Sequence, residues 1–320
     1  AMKMVAAAKL QKAQMAIQNM LPYERRLHSM LIDLMGAVNM SAPASEEGSA
    51  RLVSLSNQPD HTESEGAYSL MAQRQVHRVA IVAFASNSSL CGAFNSNVIR
   101  EATAVINEYR ASGLGDADIT VYSVGRKMAE AMRKLGFPSP ADFTKMSDSP
   151  SYDAASALAQ ELFDGFVSGR FDKVELVYNH YKSTSSQPTT RQTYLPLSLA
   201  DATADIQVGK ITDSASEPYA DKVAEPVVRQ NSPTTETPDL IVEPSKEELI
   251  ATLLPKVVRL RVFTTLLDST AAEHAARTVA MQLATDNGND LLQELTLEYN
   301  KGRQQKITSE ILDLVGGSMQ

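Results

Sequence analysis

Two long helical patterns open and close the chain. Near the amino end, ten positions advance by alternating steps of four and three residues, the spacing of a coiled-coil seam, and nine of the ten are apolar or aromatic. These positions are Met2, Ala6, Lys9, Ala13, Ala16, Met20, Tyr23, Leu27, Met30 and Leu34. Pro22 removes one backbone donor, so it is expected to interrupt and bend the helix. The pattern predicts an amino-terminal helix over residues 1–40 that pairs with another helix.

The carboxyl end has a second helical pattern, over residues 245–320. It starts at a capping-box signal from Ser245 to Glu248. At 1.5 Å per residue, the part after Pro255 would run on the order of 90 Å. One row of this helix, again spaced by three and four, contains Leu297, Asn300, Gln304, Ile307, Ile311 and Leu314. Residues 300–306 are polar on every face, so this stretch is not expected to lie in a core of its own chain.

Strand and helix patterns alternate between the two ends, over residues 76–200. Such alternation predicts a small, largely parallel sheet in a Rossmann-like α/β domain. Apolar strands are predicted at about 77–85, 118–124 and 172–181, helices near 96–110, 125–135 and 152–168, and a possible hairpin edge at about 190–199. The fold class is therefore α/β with long helices. Variable segments over 41–75 and 201–244 contain the Ser-, Thr-, Pro- and acid-rich stretches 41–66 and 212–239, which are interpreted as loops or disorder.

Charge and composition narrow the function classes. The net charge of −8 argues against a nucleic-acid-binding protein, and no run reaches the roughly 18 apolar residues of a membrane span. Residues 201–248 hold eleven acids and four bases, net −7, whereas residues 1–35 hold five bases and two acids, net +3. One cysteine excludes an internal disulfide framework and a multi-cysteine zinc site. Because Ala1 begins inside a helical pattern, we expect that an amino-terminal piece is missing.

The chemistry-bearing residues favour no enzyme. The loop over residues 86–97 follows a strand and opens a helix, but no phosphate-binding glycine motif occurs in the chain, which argues against a nucleotide site. Cys91 is more typical of a small packing residue than of a nucleophile. The five histidines, at positions 28, 61, 77, 180 and 274, have no metal-ligand spacing. An acidic row at positions 286, 290, 294 and 298 is interpreted as a solvated or partner-facing helix edge.

Several motifs, in order along the chain, carry a family resemblance. They are residues 1–10 (AMKMVAAAKL), the loop 90–97 (LCGAFNSN), and the stretches 284–287 (ATDN), 294–301 (ELTLEYNK) and 307–311 (ITSEI). Together they resemble the gamma subunit of F-type ATP synthases. The resemblance covers about 1–35, 76–200 and 240–316.

The resemblance implies a central rotor shaft without catalytic activity and without a cofactor. The terminal helices would form an antiparallel two-helix coiled coil inside a ring of alpha and beta subunits, with the α/β domain at the membrane-side foot. Proton-driven rotation of the c-ring would turn this shaft and change the beta subunits. The implied partners are alpha, beta and epsilon subunits and the c-ring, with no nucleic acid. The implied location is peripheral, on the cytoplasmic face of a bacterial inner membrane, with a mitochondrial or plastid setting as the alternative.

The resemblance also assigns three groups of site residues. A polar catch on a beta-subunit loop would comprise Arg303, Gln304, Thr308 and Glu310. The contact with an acidic loop of beta would comprise Met2, Lys3, Arg277 and Cys91. Glu243 would lie at the foot near the c-ring. Two residues depart from the family pattern. Val242 replaces a frequent aromatic residue. Gly302 replaces a commoner alanine, which should destabilise the helix by about 1 kcal/mol.

One structural prediction and two alternative functions follow. The family's longer amino-terminal helix implies that the first helix of this chain pairs with the carboxyl-terminal helix only up to about Arg277. The upper half of that second helix would then have no partner within the chain. The first alternative is a small-molecule-binding α/β enzyme with coiled-coil extensions, which would bind nucleotide by itself. The second is a coiled-coil scaffold unrelated to energy conversion.

Overall fold

The computed structural model describes residues 2–40, 70, 74–197, 243 and 245–317. These form two long helices and a four-stranded α/β domain. In chain order the elements are α1 (Met2–Met40), β1 (Val79–Phe84), α2 (Phe94–Ala111), β2 (Ile119–Val124), α3 (Arg126–Lys134), α4 (Thr144–Asp148), α5 (Tyr152–Val167), β3 (Lys173–Asn179), β4 (Thr189–Leu195) and α6 (Lys246–Gly317). Most of the variable segments 41–75 and 201–244 lies outside the described residues.

The sheet has the strand order β2-β1-β3-β4. β1 pairs in parallel with both β2 and β3, and β4 pairs antiparallel with β3. The predicted largely parallel sheet and its hairpin edge are therefore confirmed, although the last strand ends at Leu195 rather than near 199.

Helices cover both faces of the sheet, and β1 shows how the sequence arranges this. Its residues alternate between two hydrophobic cores, since successive side chains of a strand point to opposite faces. Val82 and Phe84 pack with α5, with the start of α6 and with the carboxyl-terminal part of α1. Ile81 and Ala83 pack with α2 and α3. Every residue of β1 is buried, as expected for a strand with helices on both sides.

Gly125 makes one close approach in this domain possible. It lies between β2 and α3 with a φ of +96°, and a Cβ there would lie 2.1 Å from the carbonyl oxygen of Ala85. Only glycine avoids both the steric clash and the backbone strain at this position. The turn can therefore pack directly against the end of β1.

The two long helices run antiparallel. Lys3 of α1 hydrogen-bonds Gln282 of α6, whereas Glu24, further along α1, accepts a hydrogen bond from Thr264, which lies earlier in α6. This confirms the predicted pairing of the terminal helices. α1 remains helical through Pro22, so the predicted interruption is wrong.

The inward-facing row of α1 differs from the predicted seam at every second position, where the residue that faces inward is the next one along the chain. The inward row, spaced by four and three, consists of Ala6, Leu10, Ala13, Ile17, Met20, Glu24, Leu27, Leu31 and Leu34, all buried or half-buried. The predicted and observed rows share every seventh residue, starting at Ala6. At the positions between, the prediction chose Lys9, Ala16, Tyr23 and Met30, of which Ala16 is half-buried and the other three are exposed. The prediction could not distinguish the two rows, because the residue on either side of each shared position satisfies the same alternating spacing.

α6 is 72 residues long, about 108 Å at 1.5 Å per residue. It starts where the capping signal predicted, because the Ser245 hydroxyl accepts a hydrogen bond from the Glu248 backbone N–H at 3.1 Å. Its pairing with α1 reaches Gln282, where Lys3 makes its hydrogen bond. From Leu283 to Leu314 every residue is exposed. The prediction of an upper half without a partner is therefore confirmed for the described residues.

Candidate partner-binding site

The upper segment of α6, residues 283–314, is a rod about 48 Å long at 1.5 Å per residue. It exposes large apolar side chains, with Leu297 at 72% and Leu314 at 74% of full exposure. The others are Leu283, Leu291, Leu292, Leu295, Tyr299, Ile307, Ile311 and Leu312. Helices in proteins gain most of their stability from packing an apolar face, and this segment packs on none of the described residues. Its apolar side chains therefore require packing partners beyond the described residues.

The four residues of the expected catch lie together on this upper segment. Arg303, Gln304, Thr308 and Glu310 are all exposed. The Thr308 hydroxyl donates to the backbone carbonyl of Gln304 at 2.9 Å, and Glu310 lies 4.0 Å from Lys306. Neither the Arg303 nor the Gln304 side chain has a hydrogen-bond partner among the residues that the structure describes. Both side chains can therefore bind an external group without first breaking a contact.

The residues of the expected acidic-loop contact gather at one height of the rod, near Arg277 and Gln282 of α6. Met2 is exposed, and Lys3 bonds Gln282. Arg277 donates a hydrogen bond at 2.7 Å to Ser88, in the β1–α2 loop, residues 85–93, that also contains Cys91. The Cys91 thiol itself is only 1% exposed, so the outer surface of this loop is formed by other residues.

Glu243 is exposed and lies just before α6 begins, at the opposite end of the helix from the catch. Arg303 is about 85 Å further along α6 at 1.5 Å per residue. The site residues therefore occupy both ends of one continuous rod. Val242, the predicted departure from the family pattern, lies outside the described residues.

The long helices also occupy the place where an open α/β sheet usually binds a ligand. That place is the crevice beside the carboxyl ends of β1 and β3. These two strands are neighbours in the sheet, and the connections that follow them run in opposite directions. Cys91 and Phe94, after β1, pack on Ala272 of α6. Because α6 fills the crevice, the arrangement disfavours the alternative of a small-molecule enzyme.

Two residues after β3, His180 and Tyr181, form hydrogen bonds with both long helices. His180 Nδ1 lies 2.6 Å from a carboxylate oxygen of Asp268, and the backbone N–H of Tyr181 donates to the other oxygen at 2.9 Å. Gln14 of α1 donates to the Tyr181 hydroxyl at 2.7 Å. The hydrogen bond to Asp268 raises the pKa of His180, against the opposing effects of burial and of Lys182. No local sequence pattern predicts this contact, since its partners lie far apart along the chain.

A buried carboxylate lies on β3 and was also missed. Glu175 is 1% exposed; Arg191 donates to it at 2.7 Å, as does the Tyr109 hydroxyl, and Lys173 forms an ion pair with it at 2.7 Å. Burial alone would raise the pKa of Glu175, but these hydrogen bonds outweigh that effect and lower it. The sequence signal that could have predicted it is a single acidic residue inside an otherwise apolar strand. The cluster joins β4 to the sheet and to α2, so its role is structural.

Two further properties concern metals and membranes. Across the described ranges, no three His, Cys, Asp or Glu side chains are grouped so that they could hold a metal ion. None of the helices in the described part of the chain is long and apolar enough to cross a membrane.

The fold and the exposed rod define a class: a subunit that acts by contact with other chains through a long helix fixed to an α/β domain. The family model described as ATP synthase matches residues 1–319. The chain is 48% identical to the ATP synthase gamma chain of Phocaeicola vulgatus over 319 residues, covering 100% of this chain and 92% of the relative. It is 45% identical to that of Bacteroides thetaiotaomicron, with 100% and 93% covered. The chain belongs to the ATP synthase gamma chain family, the non-catalytic central stalk.

Similar chains occur in solved structures of mitochondrial ATP synthase sub-assemblies. One is from the central stalk and c-ring of Tetrahymena thermophila mitochondrial ATP synthase, with 18% identity, a TM-score of 0.47 and 89% of this chain and 97% of that chain covered. Another is from Euglena gracilis mitochondrial ATP synthase, with 18% identity, a TM-score of 0.48 and coverage of 98% and 94%.

Proposed function

We propose that this chain is the shaft that couples proton-driven rotation of a c-ring to conformational change in catalytic beta subunits. The observation that supports this most directly is α6 itself, a continuous helix of 72 residues that packs on the α/β domain over its lower part and projects well beyond it. The partners would be alpha and beta subunits around the upper segment of α6, with an epsilon subunit and the c-ring at the foot. The chain would be attached peripherally, through the complex, to the cytoplasmic face of a bacterial inner membrane.

Rotation can drive the beta subunits only if the shaft binds their conformations with different free energies. A uniform cylinder would not achieve this. The shaft is not uniform around its axis, because α1 lies along one side of α6. Turning it would therefore present a different surface to each surrounding subunit.

The polar catch is proposed at Arg303 and Gln304, with Thr308 and Glu310 beside them. The guanidinium offers several donors, which suits a carboxylate or backbone carbonyl on a beta-subunit loop. Exposure of all four side chains supports the assignment.

The lower contact with beta is proposed around Met2, Lys3, Arg277 and the loop that contains Cys91. Lys3, which bonds the neutral Gln282, supplies positive charge that would attract an acidic loop. Arg277 is paired with Glu273 and would support this contact through the loop that it binds. Glu243 is proposed to face the c-ring at the foot.

The catch is tested by replacing Arg303 and Gln304 with alanine in the assembled synthase. We expect ATP synthesis to fall at least about tenfold, because each hydrogen bond to a charged group contributes roughly 1.5–3 kcal/mol. Circular dichroism of the purified chain should not change, since both residues are exposed and alanine favours helix. Gln293→Ala, another exposed polar position of the upper segment, is the matched control. Synthesis at the control level in the double variant would contradict the catch.

Two binding measurements distinguish the rotor from the alternatives. The rotor function predicts that the purified chain co-purifies with alpha and beta subunits and does not bind nucleotide tightly by itself. Tight nucleotide binding by the chain alone would favour the enzyme alternative, and failure to co-purify would favour the unrelated scaffold.

A further inference from the structure

We infer that Ser88, Arg277 and Glu273 form a latch that holds the β1–α2 loop, residues 85–93, on α6, and that Glu273 positions the Arg277 guanidinium for this purpose. The inference goes beyond the proposed contacts with beta subunits, because every contact in the latch lies within this chain. It gives Arg277 an internal role that a free surface cation would not have.

The guanidinium is bound on two sides. Its Nη1 lies 2.7 Å from a carboxylate oxygen of Glu273, one helical turn earlier in α6. Its Nη2 donates to the Ser88 hydroxyl at 2.7 Å. The side chains of Arg277 and Glu273 are 17% and 9% exposed. A charge-assisted pair this shielded from water restricts the guanidinium far more than a solvent-exposed pair would.

The neighbouring residue His274 adds a third contact. Its Nδ1 lies 3.4 Å from Arg277 Nη1. Burial, together with the nearby charges of Arg277 and Lys9, lowers the pKa of His274 to about 4. The imidazole is therefore neutral near pH 7, so one ring nitrogen can accept a hydrogen bond from the guanidinium. Burial also raises the pKa of Glu273, while Arg277 acts in the opposite direction and favours its charged form.

The loop needs such a contact because part of its backbone is strained. Leu90 has a φ of +70°, in the left-handed region that a bulky side chain rarely adopts, and its side chain is 61% exposed. Internal hydrogen bonds hold the inner side of the loop: Asn95 accepts from the Ser86 backbone N–H at 3.0 Å and donates to the Ser88 carbonyl at 3.3 Å. The Ser88 hydroxyl is bound from outside the loop, by Arg277.

The position of the latch gives it a mechanical consequence. Arg277 lies about one helical turn below Gln282, which bonds Lys3 of α1, so the latch lies at a height where α6 also pairs with α1. There the latch fixes a surface loop of the α/β domain to the rod. The loop and the rod therefore turn as one body, which prevents the loop from slipping when α6 rotates.

Cys91 supplies a direct measure of the latch. It is the one cysteine of the chain, and its thiol is 1% exposed beneath the loop, packed with Phe94 and Ala272. Opening of the loop exposes this thiol, so its labelling rate reports the population of the open loop. The readout needs neither partner subunits nor ATP turnover, so it can fail independently of the proposed function.

The experiment measures maleimide labelling of Cys91 in the purified full chain. Ser88→Ala removes one hydroxyl, leaves the Ser88 carbonyl contacts intact, and should accelerate labelling roughly three- to tenfold. Glu273→Gln removes the charge that positions Arg277 and should accelerate it roughly 10- to 100-fold. Ser88→Thr, which keeps the hydroxyl, should restore the original rate. Asp116→Asn is the control, since Asp116 pairs with Arg110 at 2.6 Å on the surface.

Thermal unfolding of each variant, followed by circular dichroism, separates local from global opening. The latch is supported if Ser88→Ala accelerates labelling, Ser88→Thr restores it, and the midpoint of unfolding stays at the wild-type value in both. Equal labelling rates in Ser88→Ala, Glu273→Gln and the Asp116→Asn control would overturn the inference. So would acceleration in Ser88→Ala that is explained entirely by a lower unfolding midpoint.

Discussion

Replacing Asp268 tests how strongly its hydrogen bonds attach the β3–β4 loop to α6. Asp268 accepts hydrogen bonds from His180 and from the Tyr181 backbone, and its side chain is 18% exposed. In Asp268→Asn the amide oxygen can still accept from Tyr181, so the loss is confined mainly to the pair with His180. A hydrogen bond between charged groups contributes about 1.5–3 kcal/mol, and a neutral one about 0.5–1.5 kcal/mol.

The cost of this change depends on pH in a defined direction. The folded chain holds the pKa of His180 above its ordinary value of 6.5, chiefly through the hydrogen bond to Asp268, while Lys182 opposes the shift. The charge contribution is therefore fully present below the unfolded pKa and is lost as pH rises through the folded pKa. We expect the coupling between the two side chains to be about 1 kcal/mol stronger at about pH 5.5 than at about pH 9.

A double-mutant cycle with His180→Asn and Asp268→Asn isolates this coupling. Urea unfolding followed by circular dichroism gives the free energy of unfolding of the wild type, both single variants and the double variant at each pH. A coupling energy at about pH 9 equal to or greater than that at about pH 5.5 would refute the reasoning.

Two further predictions concern the sheet and the upper segment. Glu175→Gln should cost about 3–5 kcal/mol in urea unfolding, because it leaves Arg191 and Lys173 without their buried carboxylate. Since the folded pKa of Glu175 is lowered, the wild-type contribution is present above the unfolded pKa and is lost as pH falls through the folded value; a Gln variant with the wild-type acid dependence would contradict this. Gly302→Ala should stabilise α6 by up to about 1 kcal/mol, with a stronger helical signal in circular dichroism, because a Cβ there meets nothing within 4 Å. A weaker helical signal would count against this prediction.

The predictions from the sequence succeeded where one local pattern decides the structure. The apolar run at β1 and the cap at Ser245 predicted elements that the structure contains. The spacing pattern did not determine which face of α1 is buried, because two different rows of residues share every seventh position and both satisfy the same spacing. Only packing against α6 and the α/β domain selects Leu10 and Leu31 over Lys9 and Met30 as buried positions.

The candidate site divides in the same way. Polarity around Arg303 and Gln304 is visible in the sequence, because a helix without an apolar stripe signals a missing core. The roles of Arg277 and Cys91 within the chain are not visible there. They depend on contacts between residues nearly 190 positions apart, which only the packing of the β1–α2 loop on α6 creates.

By itself, the sequence determined that two long helices flank an α/β domain along the chain and that residues 300–306 of the second helix have no apolar stripe to bury. Periodicity and composition are local properties, so they are sufficient for those conclusions. Tertiary structure decided which face of α1 is inside, that α6 fills the crevice after β1 and β3, and that Arg277 is bound within the chain. Those outcomes depend on the free energy of contacts between distant segments, which no single stretch of sequence contains.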